Sequence, residues 1–184
     1  MKIRESLIVI PLACTLIFAG CSKQKTANTG ANTGGAPNTK TPAPAKTPGP
    51  LPASGYRALI TLQDPPAKLR TGQQETLKLH VKNTSDVFWW LRGGETNDRK
   101  DNKFYLAAAS RWLDKDGKHT DEIEGHNGIR RDLKPGDEAD MTLRITAPKE
   151  PGEYLLEVDM VQEGVCWFSD KGSPTAKTKV TVVR

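Results

Sequence analysis

The sequence predicts an all-β domain, a single antiparallel β-sandwich without a disulfide, carried behind a stretch of chain that cannot pack. Three observations lead there. Apolar residues recur at every second position in short runs between Gly55 and Arg184. The runs are bounded by Pro, Gly, Asn and Asp clusters, and no segment carries a convincing helix period. Residues 55–184 are long enough for one domain with a proper core.

The elements follow in order. Ala58, Ile60 and Leu62 alternate with Arg57 and Thr61, Leu59 breaks the polar side, and Asp64–Pro66 ends the run. Leu77, Leu79 and Val81 alternate with Lys78, His80 and Lys82, and the turn residues Asn83–Asp86 lead into "VFWWL". Asp114–Gly117, "DKDG", reads as a hairpin turn after "RWL". "KPGD" precedes Met141, Leu143 and Ile145, and "KEPGE" precedes Tyr154, Leu156, Val158 and Met160. Ala176, Thr178, Val180 and Val182 close the chain. Short strands with turns at this spacing make a two-sheet sandwich. The expected core holds Leu79, Val81, Trp89, Leu143, Tyr154, Leu156, Val158 and Val180.

The first residues read as a targeting segment. Lys2 and Arg4 form a positive start, and Leu7–Phe18 is an apolar run interrupted by Pro11 and Thr15. It is shorter than the roughly 20 residues of a spanning helix and is followed by small residues. Its exit, "LIFAGC" from Leu16 to Cys21, resembles the lipobox of bacterial lipoproteins, with Phe18 where Leu is usual. The resemblance implies a signal peptide over residues 1–20, cleavage before Cys21, and a lipid on the Cys21 sulfur and amine. Two or more acyl chains anchor a protein stably, at roughly 0.8 kcal/mol per buried CH₂. Cys14 leaves with the signal, so Cys166 remains alone and no internal disulfide can form. Ser22 is not the aspartate that marks inner-membrane retention in many Gram-negative bacteria, which points to the outer membrane in such a host.

Residues 21–54 are expected to be a disordered tether. The stretch holds one large aliphatic residue, Leu51, with no aromatic and no acid. Such a composition cannot offset the entropy of ordering. As a flexible coil it averages roughly 30 Å end to end, and as polyproline II about 100 Å. The chain's net charge of +5 comes from the four tether lysines and the leader's net +1, so residues 51–184 are neutral. A neutral domain gives no electrostatic footprint for nucleic acid.

"PGEYLLEV" places Tyr154 like the tyrosine corner of immunoglobulin-like and fibronectin-like domains. Trp89 stands after the second core strand, where such domains bury a tryptophan, and Leu156 stands where antibody-type domains have a cysteine. "NTSDVFWW", "RWLDKDGK" and the stretch from Arg130 to Pro174, with "VQEGV-WFSDKG" its most specific part, are similar to bacterial Ig-like accessory modules that accompany glycosyltransferases and other envelope-polysaccharide proteins. Trp90 departs from the proline often found there.

The chemical candidates are few. Cys166 has no sequence neighbour to lower its pKa, so a packed thiol is expected. If alternation continues from Met160, Cys166 and Phe168 face the core while Val165 and Trp167 face out, unless a bulge at Gly164 reverses them. His119, Asp121, Glu122, Glu124 and His126 are metal-ligand types without a metal spacing, so a solvated hairpin and no metal are expected. The polar run Gly93–Lys103 reads as a long loop, as fit for a bare connection as for a binding edge. GxSxG, HExxH and P-loop patterns do not occur, and no catalytic residue or cofactor is expected. The expected function is that of a membrane-anchored envelope lipoprotein presenting a binding module for envelope glycan or polysaccharide, by stacking of sugars on Trp90, Trp112 and Trp167. A protein-binding or scaffolding module of surface-assembly machinery is the alternative, and a glycan hydrolase the rival class. Mass spectrometry of the purified N-terminus should find Cys21 as first residue carrying diacylglyceryl and acyl groups; an unmodified cysteine or another cleavage point refutes the anchor.

Overall fold

A computed structural model of the chain describes residues 44–94, 102–120 and 125–184. Among the described residues nine strands make two facing sheets: β1 Ala58–Gln63, β2 Lys68–Arg70, β3 Gln74–Asn83, β4 Leu106–Leu113, β5 His126–Gly128, β6 Glu138–Thr146, β7 Gly152–Gln162, β8 Cys166–Trp167 and β9 Ala176–Val183. One sheet runs β1-β3-β6, and the other runs β2-β9-β7-β4-β5 with β8 added to the end of β7. This is an immunoglobulin-like β-sandwich without a disulfide. All pairings are antiparallel except that of β2 with β9, which is parallel. The side chain of Asn127 on β5 donates to the Thr142 carbonyl on β6, joining the two sheets along one side.

The first sheet has one wet face, and its alternation is plain. Along β3, Leu77, Leu79 and Val81 are buried, and along β6 Met141, Leu143 and Ile145 are buried. The register sets Leu79 opposite Met141 and Leu77 opposite Leu143, so the apolar rows meet across the pair. Leu59, which broke the alternation of β1, lies on the outer face and is 52% exposed.

The second sheet is different. Residues 106–110 of β4 and 156–162 of β7 are buried without interruption. One face packs Leu106, Ala108, Trp112, Leu156, Val158 and Met160 into the core. The other packs Ala107, Ala109 and Val161 under Trp167. Strand β4 was therefore visible in sequence only at "RWL", because burial on both faces erases alternation.

Every expected core residue is buried or packed on the core, with Tyr154 at its margin. The tyrosine corner forms: the Tyr154 hydroxyl donates to the Glu150 carbonyl at 3.1 Å. The strand tryptophan of this fold is Trp112, however, and not Trp89. Trp112 lies on β4 opposite Leu156, meets the Tyr154 ring edge-on at 6.1 Å, and donates its indole N–H to the Thr146 carbonyl. Trp89 is fully buried but sits in the connection after β3, bridged to Leu133 by two backbone hydrogen bonds. Its indole N–H donates to the Gly55 carbonyl at 2.9 Å. Phe168 meets both Tyr56 and Trp89 edge-on, at 5.2 and 5.3 Å, closing this end of the core.

The boundary also moves. Residues 44–54, expected to belong to the tether, are described with the sandwich, and Gly49 and Leu51 hydrogen-bond to Gln162 of β7. Leu156→Ala should cost about 2–5 kcal/mol, because the residue is fully buried opposite Trp112 and its loss leaves a cavity. Denaturant melts check this, and a near-neutral change would show that the core does not close on β7.

Candidate functional site

Three of the chain's four tryptophans were expected to be exposed stacking rings, and the structure separates them. Trp167 is half-buried on the outer face of the second sheet, paired through β8 with Val161. The parity expected from Met160 holds through the turn at Gly164: Phe168 is buried, Cys166 packs on the core, and Val165 is 38% exposed. Arg111 of β4 lays its guanidinium over the Trp167 ring at 4.0 Å from the centroid. His126 of β5 approaches that ring edge-on at 6.1 Å, and its Nδ1 lies 2.7 Å from the Glu163 carboxylate.

Beneath this ring the sheet carries charge where an apolar strand is expected. Glu157 and Asp159 alternate with Val158 on β7 and point to the outer face. Arg111 donates to Glu157 at 2.9 Å, and Lys177 and Thr175 donate to its other oxygen at 3.0 and 2.9 Å. Burial pushes the Glu157 carboxyl up, but these donors and the arginine's charge outweigh it, and the group stays below its ordinary pKa. Asp159 is the reverse case. It has no exposed surface, and burial raises its pKa against the pull of two backbone amides, those of Ser169 at 2.9 Å and Met160 at 2.7 Å. Asp159 thus holds the turn Ser169–Lys171, which follows Trp167, against the sheet. Arg111, Glu157 and Asp159 were not identified from sequence. The signal was the pair of acids inside the long apolar run "YLLEVDMV".

Trp90 belongs to a second cluster. It is half-buried and stacks on Phe88 at 5.0 Å with 23° between the planes. Lys46 lies over its ring, 5.2 Å from the centroid, and pairs with Asp132 at 2.8 Å. The chain then turns through Leu91–Gly94, where Gly93 has a φ of 62°. A Cβ on Gly93 would stand 2.5 Å from the Phe104 carbonyl oxygen, so only glycine fits. Trp112 leaves the set of candidates: it is 3% exposed and serves the core, because β4 presents it inward.

Cys166 is a packed thiol. Burial pushes its pKa up, and the Tyr56 hydroxyl beside it is raised to about 12, again by burial first. This shift runs away from the thiolate form that a nucleophilic cysteine needs. Of the acidic and histidine run, Asp121, Glu122 and Glu124 lie outside the described residues. The backbone sets His119 opposite Leu113 and His126 opposite Ala109, four residues apart along β4, or about 14 Å. The described residues contain no group of three or more His, Cys, Asp or Glu side chains arranged for a metal. Cys21 and the lipobox lie outside the described residues, as do residues 95–101 of the long loop. No described helix is long and apolar enough to cross a membrane.

No protein-family model matches the chain. No curated protein matches it in sequence. Among solved structures it is similar to the CARDB domain of a Pyrococcus furiosus protein, at 14% identity and a TM-score of 0.39, over 68% of this chain and 94% of that one. It is similar to a β-glucosidase from Listeria innocua at 16% identity and a TM-score of 0.41, over 70% of this chain, and spans only 16% of the glucosidase. Spo0M, a sporulation control protein from Bacillus subtilis, aligns at 14% identity and a TM-score of 0.34 over 70% of this chain and 49% of its own.

One further cluster carries charge on the outer face of the first sheet. His80 on β3 lies 2.9 Å from Asp140 and 3.1 Å from Glu138 of β6, and Lys82 pairs with Glu138 at 2.8 Å. The two carboxylates raise the His80 pKa above its ordinary 6.5, the bond to Asp140 most. The folded chain therefore holds this proton more tightly than the unfolded one, and the stabilisation is complete below pH 6.5 and lost as pH rises through the folded value. A pH series of denaturant melts should show this decline in the native chain and its absence in His80→Gln. An equal decline in both would assign it to another group.

Proposed function

We propose that this chain is a lipoprotein of the bacterial envelope, anchored through an acylated Cys21, whose sandwich is a non-catalytic module that binds envelope glycan. The observation that carries the binding reading is the Trp167 surface. A half-buried indole is fixed in place by the Arg111 guanidinium and the His126 ring, with Glu157, Lys177 and Glu163 around it. A sugar presents an apolar C–H face ringed by hydroxyl groups. Arg111 occupies one face of the ring, and the exposed remainder, bordered by His126, Glu163 and Lys177, complements both parts. Because the ring is already held, little side-chain freedom is lost on binding. Trp90 with Phe88 offers a second aromatic contact. The anchor rests on "LIFAGC" and on the long polar stretch that follows it, which carries the module away from a membrane.

The same pairing of tryptophan with arginine is typical of residues that dominate protein interfaces. A protein of the surface-assembly machinery is therefore the second reading. The soluble chain from residue 44 onward, applied to a glycan array and to an envelope pull-down, separates the two. Glycan retention should fall by about tenfold or more in Trp167→Ala, the scale of a stacking anchor's loss, with circular dichroism unchanged. A protein recovered with no glycan retained replaces the first reading by the second.

A further inference from the structure

The stretch Lys46–Pro52 does not leave the sandwich as free chain. It runs along the end of the domain beside Phe88, Trp90 and Phe104, and with them lines a partly open cleft of about 100 Å³. Gln162, 1% exposed, meets it with its side-chain amide. The Gln162 Oε1 accepts from the Leu51 amide at 3.0 Å and from the Tyr56 hydroxyl at 2.7 Å. Its Nε2 donates to the Gly49 carbonyl at 3.0 Å and to the Phe104 carbonyl at 3.2 Å. A buried glutamine thus spends two of its four bonds on the main chain of the strap, whatever side chains the strap carries.

The strap's composition suits such a place. Pro48, Pro50 and Pro52 have no N–H to leave unpaired, and the N–H of Leu51 between them is the one Gln162 accepts. Pro52 has φ −61° and ψ 158°, the polyproline II conformation. Leu51 packs on the core, and a Cβ on Gly55 would come within 3.1 Å of it. At the other end Lys46 holds Asp132 and covers Trp90 through exposed, salt-screened contacts. The two ends differ in kind: a buried main-chain clamp at Gly49–Leu51 and a surface latch at Lys46.

We propose that this slot is a receptor for extended proline-rich chain, that Lys46–Pro52 is its resident peptide, and that a partner stacking on Trp90 must first displace it. The last clause rests on Trp90 as a contact surface, as proposed above; the first two do not.

Hydroxyl-radical footprinting of the full-length chain in detergent micelles, read by mass spectrometry, tests this. Replacing residues 46–51 by a Gly-Ser segment of equal length should raise oxidation of Trp90 severalfold while buried Trp89 and Trp112 stay protected. A synthetic peptide spanning residues 45–53, added at millimolar concentration, should return Trp90 to its native rate. Equal Trp90 oxidation in native and replaced chains, or no protection by the peptide, overturns the proposal. If the replacement also exposes Trp89 and Trp112, Lys46→Ala decides instead: it should raise Trp90 oxidation alone, and high salt should do the same to the native chain. No change in either overturns the latch. On the glycan array the replaced chain should gain retention that Trp90→Ala removes. No gain with the footprint intact refutes the displacement clause alone, and no glycan retention by either the native or the replaced chain refutes the glycan reading while the strap stands.

Discussion

The β4–β7 pair is buried on both faces, and much of this molecule follows from covering the second one. Inward, Leu106, Ala108, Leu156, Val158 and Met160 meet the other sheet. Outward, Ala107, Ala109 and Val161 would face water if the chain ran straight from β7 to β9. Instead it turns at Gly164, lays β8 beside the end of β7, and brings Trp167 down over the alanines. Small residues on β4 make room for the indole. The cover is fastened by a carboxylate, since Asp159 binds the Ser169 amide and its own neighbour's. Burying Asp159 costs solvation, which is why its pKa is raised, and the amides offset part of that cost.

The other end of the economy is polar. Irregular chain at the end of the sandwich that carries Trp89 and Gln162 has no ladder to satisfy it, so two buried amide side chains do so. Gln162 joins the strap, the Tyr56 hydroxyl and the Phe104 carbonyl. Asn83, also without exposure, donates to the Val87 and Leu133 carbonyls and accepts from the Ser85 amide and hydroxyl. Each uses its full hydrogen-bonding capacity, and a buried network pays only when it is complete. The result is loop main chain hydrogen-bonded by buried side chains beside Phe88 and Trp90.

The two aromatic clusters therefore differ in how they are built. Trp167 is positioned by sheet register and by charge from three strands, with Arg111 between its ring and Glu157. Trp90 is positioned by a glycine turn, a neighbouring ring and a lysine from the strap.

Periodicity in the sequence determined what has one buried face. The rows of β1, β3 and β6 follow from alternation and turn chemistry; the corner at Tyr154 came from the resemblance to immunoglobulin-like domains, and the parity of Cys166 and Phe168 from an alternation that a bulge at Gly164 could have reversed. Those features are local, because a residue's facing is set by its neighbours two positions away. Among the described residues Cys166 is the one cysteine and is free, as counting on the lipobox expectation had it. The tertiary structure alone decided the rest. It made Trp112 the strand tryptophan and placed Trp89 in a connection, since burial on both faces left β4 without a pattern to read. It formed β2 by laying three residues parallel to β9, a pairing with no local signal. It brought Arg111, Glu157 and Trp167 together from three strands, and it docked a proline-rich segment whose composition reads as free chain. In each case the deciding partner lies far away in sequence, and composition near a residue carries no information about a partner that only folding supplies.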